Sequence, residues 1–187
     1  MEETDIVLMD LIKKGDEKAF ELLLSRHQRP VFNLSLRFLN EQAEAEEITQ
    51  ETFIRVFKSA ETYTPEAKFT TWLYTIVKNL CFNSLRKRRS VHIVSVEDEE
   101  LPEIPSVNDD PSVILDKKRL KSKVMAAVNE LPENMRVAVI LHKFHGLQYN
   151  EIADILNCSV NAVKLRVHRA KTILAESLKD FRMKPND

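Results

Sequence analysis

LQYNEIADILNCSVNAVKLRVHRAK, residues 147–171, is the stretch whose reading decides the fold. Tyr149, Ile152, Ala153 and Leu156 recur at the spacing of one helical face, and the pattern breaks at Asn157-Cys158-Ser159. Asparagine is one of the few residues besides glycine that tolerates a left-handed turn, and Ser159 is a good N-cap for whatever follows. In the next segment Val160, Val163, Val167, Ala170 and Leu174 return to one face. The remaining faces carry Asn161, Lys164, Arg166, His168, Arg169 and Lys171, with no acid before Glu176. Two short helices joined by a tight turn, the second of them basic, form a helix-turn-helix, a unit that lays its second helix in the DNA major groove.

The rest of the chain agrees with a helical reading. Only two glycines and few aromatics stand in 187 residues, and β-branched alternation is nearly absent, which predicts an all-α fold. No apolar run approaches the length of a membrane span and no basic-then-apolar leader opens the sequence, so a soluble, cytoplasmic protein without membrane insertion is expected. Cys81 and Cys158 are isolated and fall among helical, core-like positions, as reduced thiols do.

The net charge of −1 hides strong segregation. Residues 1–89 hold 14 basic and 14 acidic side chains, residues 90–116 hold eight acids and no Lys or Arg, and residues 117–187 hold 14 basic against 7 acidic. The middle block also contains Pro102, Pro105 and Pro111 and loses all helical period. Two small helical domains are therefore predicted, residues 1–90 and 117–187, joined by an acidic, extended linker over 91–116.

Four helices are expected in the first domain: about Asp5–Lys14, ended by Gly15; Asp16–Leu39, restarted or kinked at Pro30; about Glu41–Ala60; and from Pro65–Lys68 to about Arg88. In the second domain one helix should run from Pro111 or Ser112 to Asn129. Another should cover Pro132–Phe144, with Pro132 in its first turn and Gly146 as the stop before the helix-turn-helix.

The fourth helix, KFTTWLYTIVKNLCFNSLRKRR, has two faces. Phe69, Trp72, Leu73, Ile76, Val77 and Leu80 make an apolar stripe, while Thr71, Thr75, Asn79 and Asn83 follow one another at i+4. Lys68, Lys78, Arg86, Lys87, Arg88 and Arg89 add positive charge without a single acid. Hydroxyl and amide groups can read base edges and the cations can neutralise phosphate.

These segments together resemble the extracytoplasmic-function (ECF) group of bacterial RNA polymerase sigma factors over nearly the whole chain. KGDEKAFELLLSRHQRPVFNLSLRFL and AEAEEITQETFIRVFKS resemble the family's polymerase-contacting helices. FTTWLYTIVKN resembles its −10 reading helix, and LPENMRVAVILHKFHGLQYNEIADILNCSVNAVKLRVHRAK its −35 reading domain. Asn83 departs from a frequent aspartate, Asn157 from the usual turn glycine, and Ala162 and Leu165 from a commoner Thr and Ser.

The resemblance implies partners: core RNA polymerase through the clamp helices of its largest subunit, promoter DNA, and an anti-sigma factor. It implies that Glu47, Thr49, Gln50 and Glu51 meet the polymerase. It also implies that the loop Ala60–Ala67, resting on Asn79, captures an unstacked −10 base, with Tyr63 as a stacking ring. Tyr63, Lys68, Thr71, Trp72, Thr75, Lys78, Asn79, Asn83 and Arg86 form the expected −10 set. On the recognition helix Asn161 and Arg169 are the candidates for base edges and Lys164, Arg166 and Lys171 for phosphates. His168 lies on the same side, and exposed Leu165 suits a thymine methyl or an inhibitor protein.

Other classes fit less well. His142 and His145 with Cys158 lack a second ligand pair of suitable spacing, so no metal or other cofactor is expected. No phosphate-binding glycine loop or nucleophile motif points to an enzyme. A helix-turn-helix activator that is not a polymerase subunit would need a ligand pocket or an α/β receiver, whereas the N-terminal half here reads as helical.

Overall fold

The structure, a computed structural model, describes residues 4–91, 120 and 122–179, whose regular elements are all helices, with no strand among them. They fall into two compact units.

In the first unit α1 (Asp5–Lys13) starts on Thr4, whose side chain accepts the Val7 amide, and buries Leu8, Met9 and Ile12. Gly15 turns the chain at φ +88, where a side chain would be strained. α2 (Glu17–Leu39) is capped by Asp16, whose carboxylate accepts the Lys18 and Ala19 amides. The expected restart at Pro30 does not occur, since α2 is one helix of 23 residues with the proline inside it. Leu23, Val31 and Leu34 on either side are completely buried, and packing of that extent offsets the roughly 3 kcal/mol of an interior proline.

Asn40 closes α2 in the left-handed region at φ 57, and Glu41 immediately caps α3 (Gln42–Ser59). α4 (Phe69–Val91) runs three residues beyond the expected Arg88. The linker proper, residues 92–116, and the expected start of the next helix lie outside the described residues.

In the second unit α5 covers residues 122–129. Pro132 stands at the N-cap of α6 (Glu133–Val139), one position earlier than expected. The single helix predicted over Pro132–Phe144 is divided, because α6 passes into a π-helical turn at Ile140–Phe144. Val137 through Leu141 are five consecutive buried residues, so this segment is packed on all sides and has no amphipathic period to read. Gly146 at φ +67 ends it as expected.

α7 (Tyr149–Leu156) and α8 (Val160–Ser177) form the helix-turn-helix. Asn157 adopts φ 47 and Ser159 Oγ accepts the Ala162 amide at 3.1 Å, so both turn residues act as their chemistry suggested. Val163, Val167 and Ala170 are buried, and Ala170 joins Leu131 and Val139 in a core lined by Met135 and Leu174. Val160, expected in the stripe, is exposed at the first position of α8. Cys158 is only half-buried, being a turn residue and not a core one, while Cys81 is buried as expected.

Candidate nucleic-acid interface

The exposed edge of α4 is the first candidate surface. Asn79 and Asn83 are exposed there, and Arg86 Nη2 donates to Asn83 Oδ1 at 2.8 Å. This pairing holds the amide and guanidinium side by side on the exposed edge. Lys68 is exposed at the head of the helix, while Lys78 is half-buried and burial holds its ammonium below the ordinary lysine range.

Two members of the expected −10 set depart from this edge. Thr71 is buried, with only 4% of its surface accessible, and Thr75 is half-buried with its hydroxyl donating to the Thr71 carbonyl at 2.9 Å. The i+4 row cannot stay on one face, because each step advances about 40° around a helix of 3.6 residues per turn. The buried face is correspondingly rotated from the predicted stripe. Leu73, Val77 and Leu80 lie within it, but Tyr74 and Cys81 join them while Trp72 and Ile76 are only half-buried.

Trp72 belongs to an aromatic cluster at the head of α4. Its ring centroid is 4.8 Å from that of Tyr63 and 5.7 Å from that of Phe69. Ser59, Thr62, Tyr63, Thr64, Glu66 and Ala67 line a hollow at the head of α4 together with Thr71, Trp72 and Thr75. Asn79, the residue on which the loop was expected to rest, lies a full turn beyond Thr75 and is not among the lining residues. Among the described residues the buried Tyr63 hydroxyl has no hydrogen-bond partner, and burial with the nearby Asp5 carboxylate raises its pKa.

α3 offers a surface of different character. Glu47 and Gln50 are exposed, and Glu51 is half-exposed with its carboxylate accepting Arg55 Nε at 2.7 Å. Thr49 is not part of this surface, since it is buried and its hydroxyl donates to the Ala45 carbonyl at 2.7 Å. Two residues on from Glu47, it points to the opposite side of the helix. In its place stand Ile54 and Phe57, exposed to 47% and 54%, with the Phe57 ring edge-on to Phe20 at 5.3 Å. Their spacing of four and seven residues from Gln50 is legible in the sequence, but their exposure is not.

On α8, Asn161, Lys164, Leu165, His168, Arg169 and Lys171 are all exposed, and Leu165 stands out at 48%. Arg166 is the exception: half-buried, it turns back so that Nη1 lies 3.4 Å from Cys158 Sγ in the turn. It braces the helix-turn-helix at least as much as it faces outward. Among the described residues no cluster of His, Cys, Asp or Glu could hold a metal ion.

Comparison with known proteins identifies the family. A family model described as Sigma-70 region 2 matches residues 23–91, and one described as Sigma-70, region 4 matches residues 121–174. The chain is 32% identical to the RNA polymerase sigma-H factor of Pseudomonas aeruginosa, with 95% of each chain covered. It is also 32% identical to the ECF RNA polymerase sigma-E factor of Escherichia coli K12, covering 90% of this chain and 91% of that one. Among solved structures it resembles the sigma factor RpoE of Bartonella quintana, determined in complex with the anti-sigma factor NepR. That match has a TM-score of 0.71 at 25% identity and covers 87% of this chain and 98% of the other.

Proposed function

This chain belongs to the ECF group of RNA polymerase sigma factors, and from that membership we propose how its surfaces divide the work of promoter recognition. Sigma factors are transcription initiation factors and not enzymes, which agrees with a molecule whose candidate surfaces are binding faces. Among the described residues no helix is long and apolar enough to cross a membrane.

In this reading residues 1–91 form the unit that binds core polymerase and reads the −10 element, residues 92–116 the tether, and residues 117–187 the unit that reads the −35 element. Glu47, Gln50, Glu51, Ile54 and Phe57 meet the clamp helices of the largest polymerase subunit. Asn79, Asn83 and Arg86 face −10 DNA, and the hollow beneath Tyr63 receives an unstacked base. Asn161 and Arg169 read −35 base edges, Lys164 and Lys171 contact phosphate, and the acidic tether follows the positively charged RNA path of the polymerase. A partner anti-sigma factor, such as the one bound by the Bartonella relative, would cover some of these faces, and exposed Leu165 suits it.

One observation carries the reading. A single unit presents an acidic and apolar face on α3 together with an amide and guanidinium edge on α4. The first suits a protein and the second suits DNA. Magnitudes explain why both are needed. Opening about ten base pairs at roughly 1.4 kcal/mol per step costs more than about 10 kcal/mol, whereas holding one flipped base returns about 1–3 kcal/mol. The chain recognises and nucleates the bubble, and the polymerase supplies the remainder.

Reconstitution with core polymerase tests this directly. The sigma reading expects stable association with core and promoter opening only when both proteins are present. Specific binding to promoter duplex without core, and no association with core, would establish an activator instead.

A further inference from the structure

The run of cations at the end of α4 predicts that Arg88 adds positive charge toward DNA, but its guanidinium faces inward. Nε donates to Glu44 Oε1 at 2.6 Å and Nη1 donates to the Leu39 carbonyl at 3.3 Å. The second carboxylate oxygen of Glu44 accepts the Ser84 hydroxyl at 3.2 Å, one turn before Arg88 on α4. Both charged side chains are largely shielded, at 32% and 26% exposure.

The position of these groups gives them leverage. Leu39 is the last residue of α2, where carbonyls lack a partner within the helix, and Glu44 stands in the first turn of α3, where a carboxylate suits the helix dipole. Between them lies the elbow of left-handed Asn40 and the cap Glu41, whose carboxylate accepts the Ala43 and Glu44 amides. One guanidinium, reaching in from the last turns of α4, therefore holds both sides of the elbow that sets the direction of α3. Only Asn40 and the cap Glu41 separate the two helices, so a contact that spans them bears on the angle at which α3 leaves α2.

We propose that Arg88 is a positioning residue: through Glu44 and Ser84 it fixes the polymerase-binding face of α3 relative to the DNA-reading edge of α4, and it does not contact phosphate. The proposal rests on the reading of those two faces given above. Core polymerase holds α3, so an error of orientation at the elbow displaces Asn79, Asn83 and Arg86 from the bases they must meet, and small displacements are costly in such steps.

The test is a double-mutant cycle on the full chain assembled with core polymerase, using Arg88→Gln, Glu44→Gln and the double variant, with Ser84→Ala as a milder probe of the same brace. Core affinity, promoter opening at saturating core, salt dependence of promoter binding and thermal melting are measured for each. Each single change should lower opening by about 2- to 30-fold, with core affinity and salt dependence unchanged. The double variant should lose no more than the worse single one, because both act through one ion pair. Ser84→Ala, which keeps the charge pair and the fold, should lose less in the same direction.

Additive losses, or a shallower salt dependence for Arg88→Gln, would identify a phosphate contact and overturn the proposal. Unchanged opening, or losses that merely track core affinity and melting temperature, would overturn it as well. Asn79→Ala and Glu47→Lys serve as controls for the underlying reading. If those leave opening and core binding intact, the face assignment itself is wrong. If they act and the Arg88 cycle does not, only the positioning role fails.

Discussion

The ring of Tyr63 packs 4.8 Å from that of Trp72 at an angle of 58°, and its buried hydroxyl has no hydrogen-bond partner among the described residues. A buried hydroxyl left unpaired costs about 1–3 kcal/mol, so this position is held at the expense of stability. Tyr63→Phe should leave the melting temperature unchanged or raise it. Tyr63→Ala should impair promoter opening while core binding stays near normal, because a stacking ring matters only after a base is unstacked. Permanganate footprinting beside a core titration reads both effects. Wild-type opening by Tyr63→Ala would remove the hollow from the −10 assignment.

On α3, Glu47→Lys should weaken core binding by up to about 2–5 kcal/mol if its carboxylate is desolvated in the complex. Phe57→Ala and Ile54→Ala should also weaken it, by about 1 kcal/mol or more, as exposed apolar anchors at interfaces do. Thr49→Ser, which keeps the hydroxyl bonded to the Ala45 carbonyl, should leave core affinity unaltered. Fluorescence titration with core polymerase ranks the four variants. Equal affinity for Glu47→Lys and wild type would take this face out of the interface.

Specificity and affinity should separate along α8. Arg169→Ala is expected to cost about 1–3 kcal/mol and to relax preference at one or two −35 positions. Lys164→Ala should weaken all sequences alike and shallow the salt dependence by about 0.9 for each phosphate left without its cation. Arg166→Ala should lower thermal stability as well, since its guanidinium reaches back to Cys158. Binding to a panel of −35 variants at several salt concentrations decides between them. A uniform loss for Arg169→Ala, with a selective loss for Lys164→Ala, would mean the helix is turned the other way in the groove.

The turn at Asn157 offers a test of backbone strain. At φ 47 a residue other than glycine or asparagine is disfavoured by about 1–2 kcal/mol, so Asn157→Ala should lower stability by roughly that amount. Asn157→Gly should be neutral or slightly stabilising. Thermal melting distinguishes the two, and equal destabilisation by both would show that the asparagine amide contributes more than its conformation.

Cys81 should be silent toward thiol reagents. Burial raises its pKa from the ordinary 9.0 to about 12, so the folded chain keeps that proton where the unfolded chain releases it. Stability from this group is complete below pH 9 and declines as pH rises toward 12. Labelling followed by mass spectrometry should modify half-buried Cys158 first and reach Cys81 only on unfolding. Prompt modification of Cys81 near neutral pH would show that its pocket opens in the native state.

The features legible in the sequence are those set by neighbours along the chain. Helix ends follow from Thr4, Asp16 and Ser159 as caps and from Gly15, Gly146 and Asn157 as residues that accept positive φ, because these interactions span at most a few residues. The buried stripe of α8 is readable because one helix face meets one core. Family membership is readable for the same reason, since each motif is a contiguous segment. Tertiary structure alone decided how far the buried face of α4 is rotated, which placed Thr71 inside and left Trp72 half-covered. It also decided that Thr49 points inward while Phe57 is left outside, and that Arg88 turns from DNA to Glu44, forty-four residues away. Local periodicity fixes which residues share a face but not the angle at which that face meets its neighbours. That angle comes from packing between helices distant in sequence, and with it comes the choice of which charges are committed to the fold and which remain for a partner.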